Sequence, residues 1–192
     1  MKQAIALVFL VTAACVSPAG DTGTERESSA ASVPEPRVAS RSYPVYQRQR
    51  VSHIADYLLV DKSDRMLVAY SNGRPIRVYR GLQFGDTPMG HKRFEGDERT
   101  PEGIYTIHTR NPNSSYHLSL RIDYPNSRDR AFAAQYGRSA GGDIFIHGQP
   151  NGLPSTRRMR GDWTDGCIAL TNAEIEELWS IVPDGTPIEI RQ

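Results

Sequence analysis

The C-terminal part of this 192-residue chain predicts a mostly β domain with two short helices, sandwich-like in architecture. Short apolar runs recur with the two-residue alternation of half-buried strands, polar turn clusters separate them, and only two segments carry helix boundaries. Strands are expected at 57–60 and 66–70, separated by Asp61-Lys62-Ser63-Asp64. Asn72-Gly73 then leads into a strand at 75–80; Asn-Gly between apolar runs favours a two-residue hairpin turn, where both central residues need positive φ. Further strands are expected at 103–109, 117–123, 143–147, 167–170 and 187–190. A helix at 128–136 follows Asn126-Ser127 and stops at Gly137. A second, at 173–181, follows Thr171-Asn172, with Thr171 and Glu174 spaced as a capping box and Pro183 ending it.

Composition narrows the function. Lys and Arg total 23 against 22 acidic residues, and residues 53–192 carry 17 against 18, so no basic half is hidden behind the net charge of +1. That balance lacks the electrostatic footprint of a nucleic-acid binder. Two cysteines, Cys15 and Cys167, rule out a disulfide-rich scaffold.

The N-terminus reads as an export signal over residues 1–15: a basic tip at Lys2, an apolar run over 4–11, then Thr12-Ala13-Ala14-Cys15. The run is too short to cross a bilayer, which takes about 20 apolar residues. Cys15 after Ala13-Ala14 resembles a bacterial lipobox, with Thr12 where an aliphatic residue is usual; lipidation at Cys15 and ordinary cleavage nearby both stay open. Residues 16–51 are rich in Ser, Ala, Pro and Arg, and read as a flexible linker that cannot offset its ordering entropy by burial. The folded domain is expected over 52–192.

Once Cys15 is lipidated or removed, Cys167 is the lone thiol of an exported domain, a liability in an oxidising compartment unless it is used. It follows Trp163-Thr164-Asp165-Gly166, and Gly166 permits a sharp approach that can align successive N–H groups into an anion-binding concavity. His147 ends the apolar run Ile144-Phe145-Ile146 and precedes Gly148. The connection between His147 and Cys167 is 19 residues long, beyond the common loop length and typical of functional loops. An adjacent imidazole would lower the thiol pKa from about 8.5 and give a thiolate at neutral pH. From spacing alone, a core cysteine beside a structural histidine explains the pair equally well. His91, His108 and His117 add donors for zinc, but no close-spaced ligand pair occurs, so no metal is expected.

The ordered segments Thr100-Pro101-Glu102-Gly103, Ile144-Phe145-Ile146-His147-Gly148 and Thr164-Asp165-Gly166-Cys167-Ile168 together resemble the YkuD-type L,D-transpeptidases of the bacterial cell envelope, and Gly85-Asp86-Thr87-Pro88-Met89-Gly90 suits the loop before them. The resemblance covers about 56–190. It implies a β-sandwich-like catalytic domain and a cofactor-free thiol acyltransferase acting on peptidoglycan stem peptides. By that resemblance Cys167 is the nucleophile, His147 the base, and the Gly148 carbonyl orients the imidazole. Backbone N–H groups of Asp165, Gly166 and Cys167 would form the oxyanion hole. The acceptor would be an amine of a neighbouring stem, giving a 3→3 cross-link, or of an envelope protein.

Asp165 and Ala169 stand where the commonest family pattern has His and Arg. A carboxylate at 165 disfavours a thiolate unless it turns away or pairs with a cation. For the missing Arg, the connecting loop offers Arg157, Arg158 and Arg160 as bidentate binders of substrate carboxylate; a solvated basic loop tip is the plainer reading. Asn111, Tyr116, Ser119 and Trp163 are expected to line or cover the cleft, or simply to pack. Two alternatives are a cysteine hydrolase on stem or lipoprotein linkages, and a non-catalytic envelope-binding module. The expected setting is the periplasm, with membrane attachment only through lipid at Cys15.

Overall fold

β1 (Tyr57–Asp61) and β2 (Met66–Ser71) pair antiparallel because alternate residues, Leu58 and Val60 against Leu67 and Ala69, have no exposed surface left. The computed structural model describes residues 53–192; the expected leader, linker and Cys15 lie outside the described residues. Asp61 closes the β1–β2 turn by accepting from the Asp64 N–H and the Ser63 hydroxyl. The turn into β3 (Arg74–Arg80) has positive φ at Asn72 and Gly73, 52° and 71°, as the Asn-Gly pair requires.

β4 (Gly103–Ser114) is longer than the expected 103–109. Register shifts at Ile107/Thr109 and Asn111/Ser114 let it continue against β5 (His117–Ile122) through residues that read as a loop. α1 (Ser127–Gln135) is held more by its polar start than by an apolar face, since its buried residues are Asp129 and Ala133. Asn126 caps the Arg128 and Asp129 N–H groups, and the Asp129 carboxylate returns to the Asn126 N–H while also accepting from Tyr105 Oη at 3.1 Å.

β6 (Phe145–His147) and β7 (Ile168–Ala169) are short, and both fall within the expected runs. α2 (Asn172–Ile181) starts at the Thr171–Glu174 capping box and packs Ile175 and Leu178 toward β5 and β6. β8 (Pro187–Arg191) inserts beside β1 with Ile188 and Ile190 buried.

The strands run in the order β3-β2-β1-β8-β4-β5-β6-β7, with β1–β8 and β6–β7 parallel and the other pairs antiparallel. β4 serves two halves: residues 103–106 pair with β8, and the stretch from Ile107 onward pairs with β5. Isolated bridges Gln83↔Ala169 and Gly85↔Thr164 bring the chain leaving β3 onto the far side of β7. One apolar core, with Phe84, Ile107, Leu120, Ile146, Ile168 and Ile188 fully enclosed, lies within this folded-over sheet. The mostly β, sandwich-like expectation with two helices matches this architecture. Among the described residues no helix is long and apolar enough to cross a membrane.

Candidate active site

His147 is the last residue of β6, and Gly148 turns the chain back over it. The Gly148 N–H donates to the Tyr116 and Leu118 carbonyls at 3.0 and 3.2 Å. A Cβ at this position would lie 2.5 Å from Asn172 Oδ1 and 2.9 Å from the Tyr116 carbonyl, so only glycine fits. The Gly148 carbonyl lies 2.6 Å from His147 Nδ1. A carbonyl only accepts, so Nδ1 carries the proton and Nε2 keeps its lone pair. Tyr116 stacks on the imidazole at 4.7 Å and 30°, and Trp163 meets it edgewise at 5.6 Å. Both aromatic residues expected near the site are therefore packed against His147.

Cys167 stands at the entry to β7. The register Ile146↔Ile168 and His147↔Ala169 puts it beside Phe145, two positions from His147 and on the same face of the sheet. Its Sγ accepts from the Phe145 N–H at 3.4 Å and donates to the Asp143 carbonyl at 3.5 Å. No hydrogen bond joins it to His147, yet both side chains line one cleft of about 320 Å³ with Asn111, Tyr116, Ser119 and Phe145.

The turn before Cys167 depends on its glycine. Gly166 has φ +124°, and a Cβ there would come within 2.4 Å of the Arg99 carbonyl. Thr164 Oγ1 donates to the Cys167 carbonyl at 2.8 Å and accepts from the Gly166 N–H at 3.3 Å. Of the three expected oxyanion donors, Gly166 thus already has a partner, while the Asp165 and Cys167 N–H groups have none among the described residues.

Electrostatically the pair departs from the thiolate expectation. Burial pushes the Cys167 thiol up to about 11, with Asp165 and Asp143 adding to the effect and the Phe145 N–H opposing it. Burial pulls His147 down to about 4, against the opposing pull of the Gly148 carbonyl. At neutral pH both groups are uncharged: a dry pocket penalises the thiolate and the imidazolium alike.

The loop from Gly148 to Gly166 is pinned by buried amides. The Gln149 N–H donates to Asn172 Oδ1 at 2.7 Å, and Gln149 Nε2 donates to the Leu170 carbonyl and to Gln83 Oε1. Gln83 in turn holds the Met159 and Gly161 carbonyls and accepts from Trp163 Nε1. Asp162 forms a two-point ion pair with Arg65.

This fold-back commits one of the loop arginines elsewhere. Arg158 is spent on Glu174 at 2.6 Å and the Arg80 carbonyl, because the α2 cap offers it a carboxylate. Neither Arg157, Arg158 nor Arg160 lines the cleft. A cation that sequence reasoning missed, Arg121, stands at the neighbouring surface. It contacts Asp143 at 2.9 Å, and both line a second cleft of about 630 Å³ with Lys92, Glu95, Glu98 and Asp165. Asp143 belongs to both clefts and offers its main-chain carbonyl to the thiol. The missed residues, Arg121, Asp143, Gln83, Gln149 and Asn172, carry no local signal; only chain folding assembles them. Elsewhere His91 engages Asp129 and the Glu102 N–H, and His117 engages Glu176. Among the described residues no three His, Cys, Asp or Glu side chains are grouped to hold a metal.

The sequence and the fold are similar to those of known proteins. The YkuD family model, described as the L,D-transpeptidase catalytic domain, matches residues 55–190. YafK of Escherichia coli (strain K12), whose name carries the L,D-transpeptidase assignment provisionally, is 26% identical over 188 residues. That alignment takes in 95% of this chain and 64% of YafK, so the chain spans less than two thirds of that relative. The helical cell shape determining protein Pgp2 of Campylobacter jejuni, solved as its K307A mutant, superposes with a TM-score of 0.58 at 28% identity, over 72% of this chain and 47% of that one. A second Pgp2 structure gives 0.55 at 26%, over 74% and 52%.

Proposed function

This chain belongs to the L,D-transpeptidase catalytic-domain family, and from that premise we propose that it is an exported cysteine acyltransferase acting on peptidoglycan stem peptides. The observation that carries the proposal is the shared cleft of Cys167 and His147, with the imidazole locked so that Nε2 is the free base.

With both groups neutral, proton transfer accompanies attack. Nε2 takes the thiol proton as Sγ bonds to the carbonyl carbon of the scissile amide. The tetrahedral oxyanion is met by the N–H groups of Asp165 and Cys167, each such donor worth about 2.7–4 kcal/mol in comparable sites. As the C–N bond breaks, Nε2 returns the proton to the departing amine of D-alanine, leaving a thioester. An acceptor amine, from another stem or an envelope protein, then attacks the thioester; its proton passes through Nε2 to the released thiol. Arg121, with guanidinium N–H groups beyond the one facing Asp143, takes the substrate carboxylate that the loop arginines do not reach. Tyr116 and Trp163 keep water from the imidazole and fix its plane. The apolar run over 4–11 supports export to the periplasm, with Cys15 as a point of lipid attachment or a residue near simple cleavage.

The test is mass spectrometry of disaccharide-tetrapeptides incubated with wild type and Cys167→Ala. Cross-linked dimers that have lost one D-alanine are the expected wild-type product. Tripeptide monomers alone would replace the acceptor amine by water and make the protein a hydrolase. No Cys167-dependent product at all would leave only a non-catalytic module.

A further inference from the structure

An aromatic and cationic surface stands beside the second cleft. Phe94, Phe132 and Tyr136 form a closed triangle, with ring centroids 5.9, 5.6 and 5.1 Å apart. Arg138 lies over Phe94 at 3.9 Å and Arg93 over Phe132 at 4.5 Å. Neither guanidinium has a carboxylate partner among the described residues; each is positioned by a ring instead, which leaves its charge uncompensated. Tyr136 is 61% exposed, so its ring is not spent on the core. The patch is positive on a chain whose net charge is only +1.

The surface continues into the site. Phe94 and Arg138 precede Glu95 and Ser139, which are joined by a 2.9 Å backbone hydrogen bond and both line the cleft holding Arg121 and Asp143. Gly141 packs so close to Glu95 that a Cβ would sit 3.1 Å from its Cα. The platform, the charged cleft and the thiol therefore form one run of surface.

We infer that this platform docks the polymeric part of the substrate, a glycan strand bearing acidic peptides, while the thiol works on one peptide. The inference rests on the acyltransferase reading. Sugar C–H faces stack on exposed aromatic rings, whose faces are electron-rich. Stem-peptide carboxylates complement the two unpaired arginines, an attraction that salt screens. Continuity with the cleft favours this partner over a nucleic acid or a lipid surface.

The test is co-sedimentation with purified peptidoglycan sacculi, together with turnover of sacculi and of soluble disaccharide-tetrapeptide. Arg93→Ser/Tyr136→Ser/Arg138→Ser is expected to bind sacculi about tenfold more weakly and to show a raised KM on sacculi, with turnover of the short substrate unchanged. Tyr136→Ser alone, at an exposed position, should weaken binding in the same direction and guards against a folding defect in the triple variant. Undiminished sedimentation overturns the inference. So does equal loss on the short substrate, or a deficit confined to duplex DNA or phosphatidylglycerol vesicles. Cys167→Ala should sediment like wild type. If wild type turns over no stem peptide, the acyltransferase reading fails separately, while sedimentation of Cys167→Ala still tests the surface.

Discussion

The two halves of the sheet are built on different rules. In the half made by β3, β2, β1 and β8, strands pair in nearly continuous register and alternate residues are sealed in the core. In the half made by β5, β6 and β7, the last two strands span three and two residues, and β4 reaches them only through register shifts. The first half is stabilised by apolar burial, at about 1.5–3 kcal/mol for each enclosed Leu or Ile. The second half replaces part of that with buried amides, close-packed glycines and ring stacking around His147. Short strands leave backbone and side-chain ends free to face a cleft, and the polar network is what makes such short strands tenable.

The largest expected effect that separates the halves is at the base. His147→Gln should lower kcat/KM by about 10²–10⁴-fold with the fold intact. It should also change the acid response. Burial holds the folded imidazole down to about 4 from its ordinary 6.5, so the unfolded chain binds the extra proton between those values. Stability is fully present above about 6.5 and falls as pH drops toward 4; the variant should lose that slope in urea titrations. In wild type the acid limb of kcat/KM should lie near 4 and the alkaline limb near 11. A narrow bell centred at neutrality would break the neutral-pair description.

Next in size, Ile188→Ala in the regular half should cost about 2–5 kcal/mol of unfolding free energy, measured by chemical denaturation, while the protein that remains folded keeps its kcat. Gly166→Ala in the other half should cost about 3 kcal/mol and lower kcat as well, because its Cβ meets the Arg99 carbonyl and displaces the turn before Cys167. If the two variants had the same ratio of stability loss to activity loss, the division of labour between the halves would be wrong.

The smallest effects distinguish the arginines. Arg121→Gln should raise KM about tenfold for a substrate ending in a free carboxylate, and much less for its amide. Arg158→Gln should leave KM unchanged and cost under about 1 kcal/mol, since its partner is the partly exposed cap residue Glu174.

The regular half was the more legible from sequence. Alternation at Leu58, Val60, Leu67 and Ala69 and the Asn72-Gly73 turn are local, and local chemistry decides them; in the other half the Thr171–Glu174 box was legible for the same reason. β4 was read short because a bulged strand and a polar loop share the composition of residues 110–114. Cys167 and His147 could be picked out as a pair because each stands at the end of an apolar run beside a glycine. Their ionisation was misjudged, since spacing suggests that an imidazole is near but says nothing of how dry the pocket is. Arg158 was misplaced for a related reason: its nearest carboxylate is Glu174, 16 positions away in sequence.

By itself, then, the sequence determined the strand and helix inventory, the turns and the candidate residues Cys167 and His147, because these depend on residues within a few positions of one another. Only the tertiary structure decided which aromatic rings enclose His147, which N–H groups at the turn before Cys167 remain free, and that Arg158 meets Glu174 while Arg121 meets Asp143. Those outcomes depend on exclusion of water and on contacts between distant segments, and neither exists until the chain has folded.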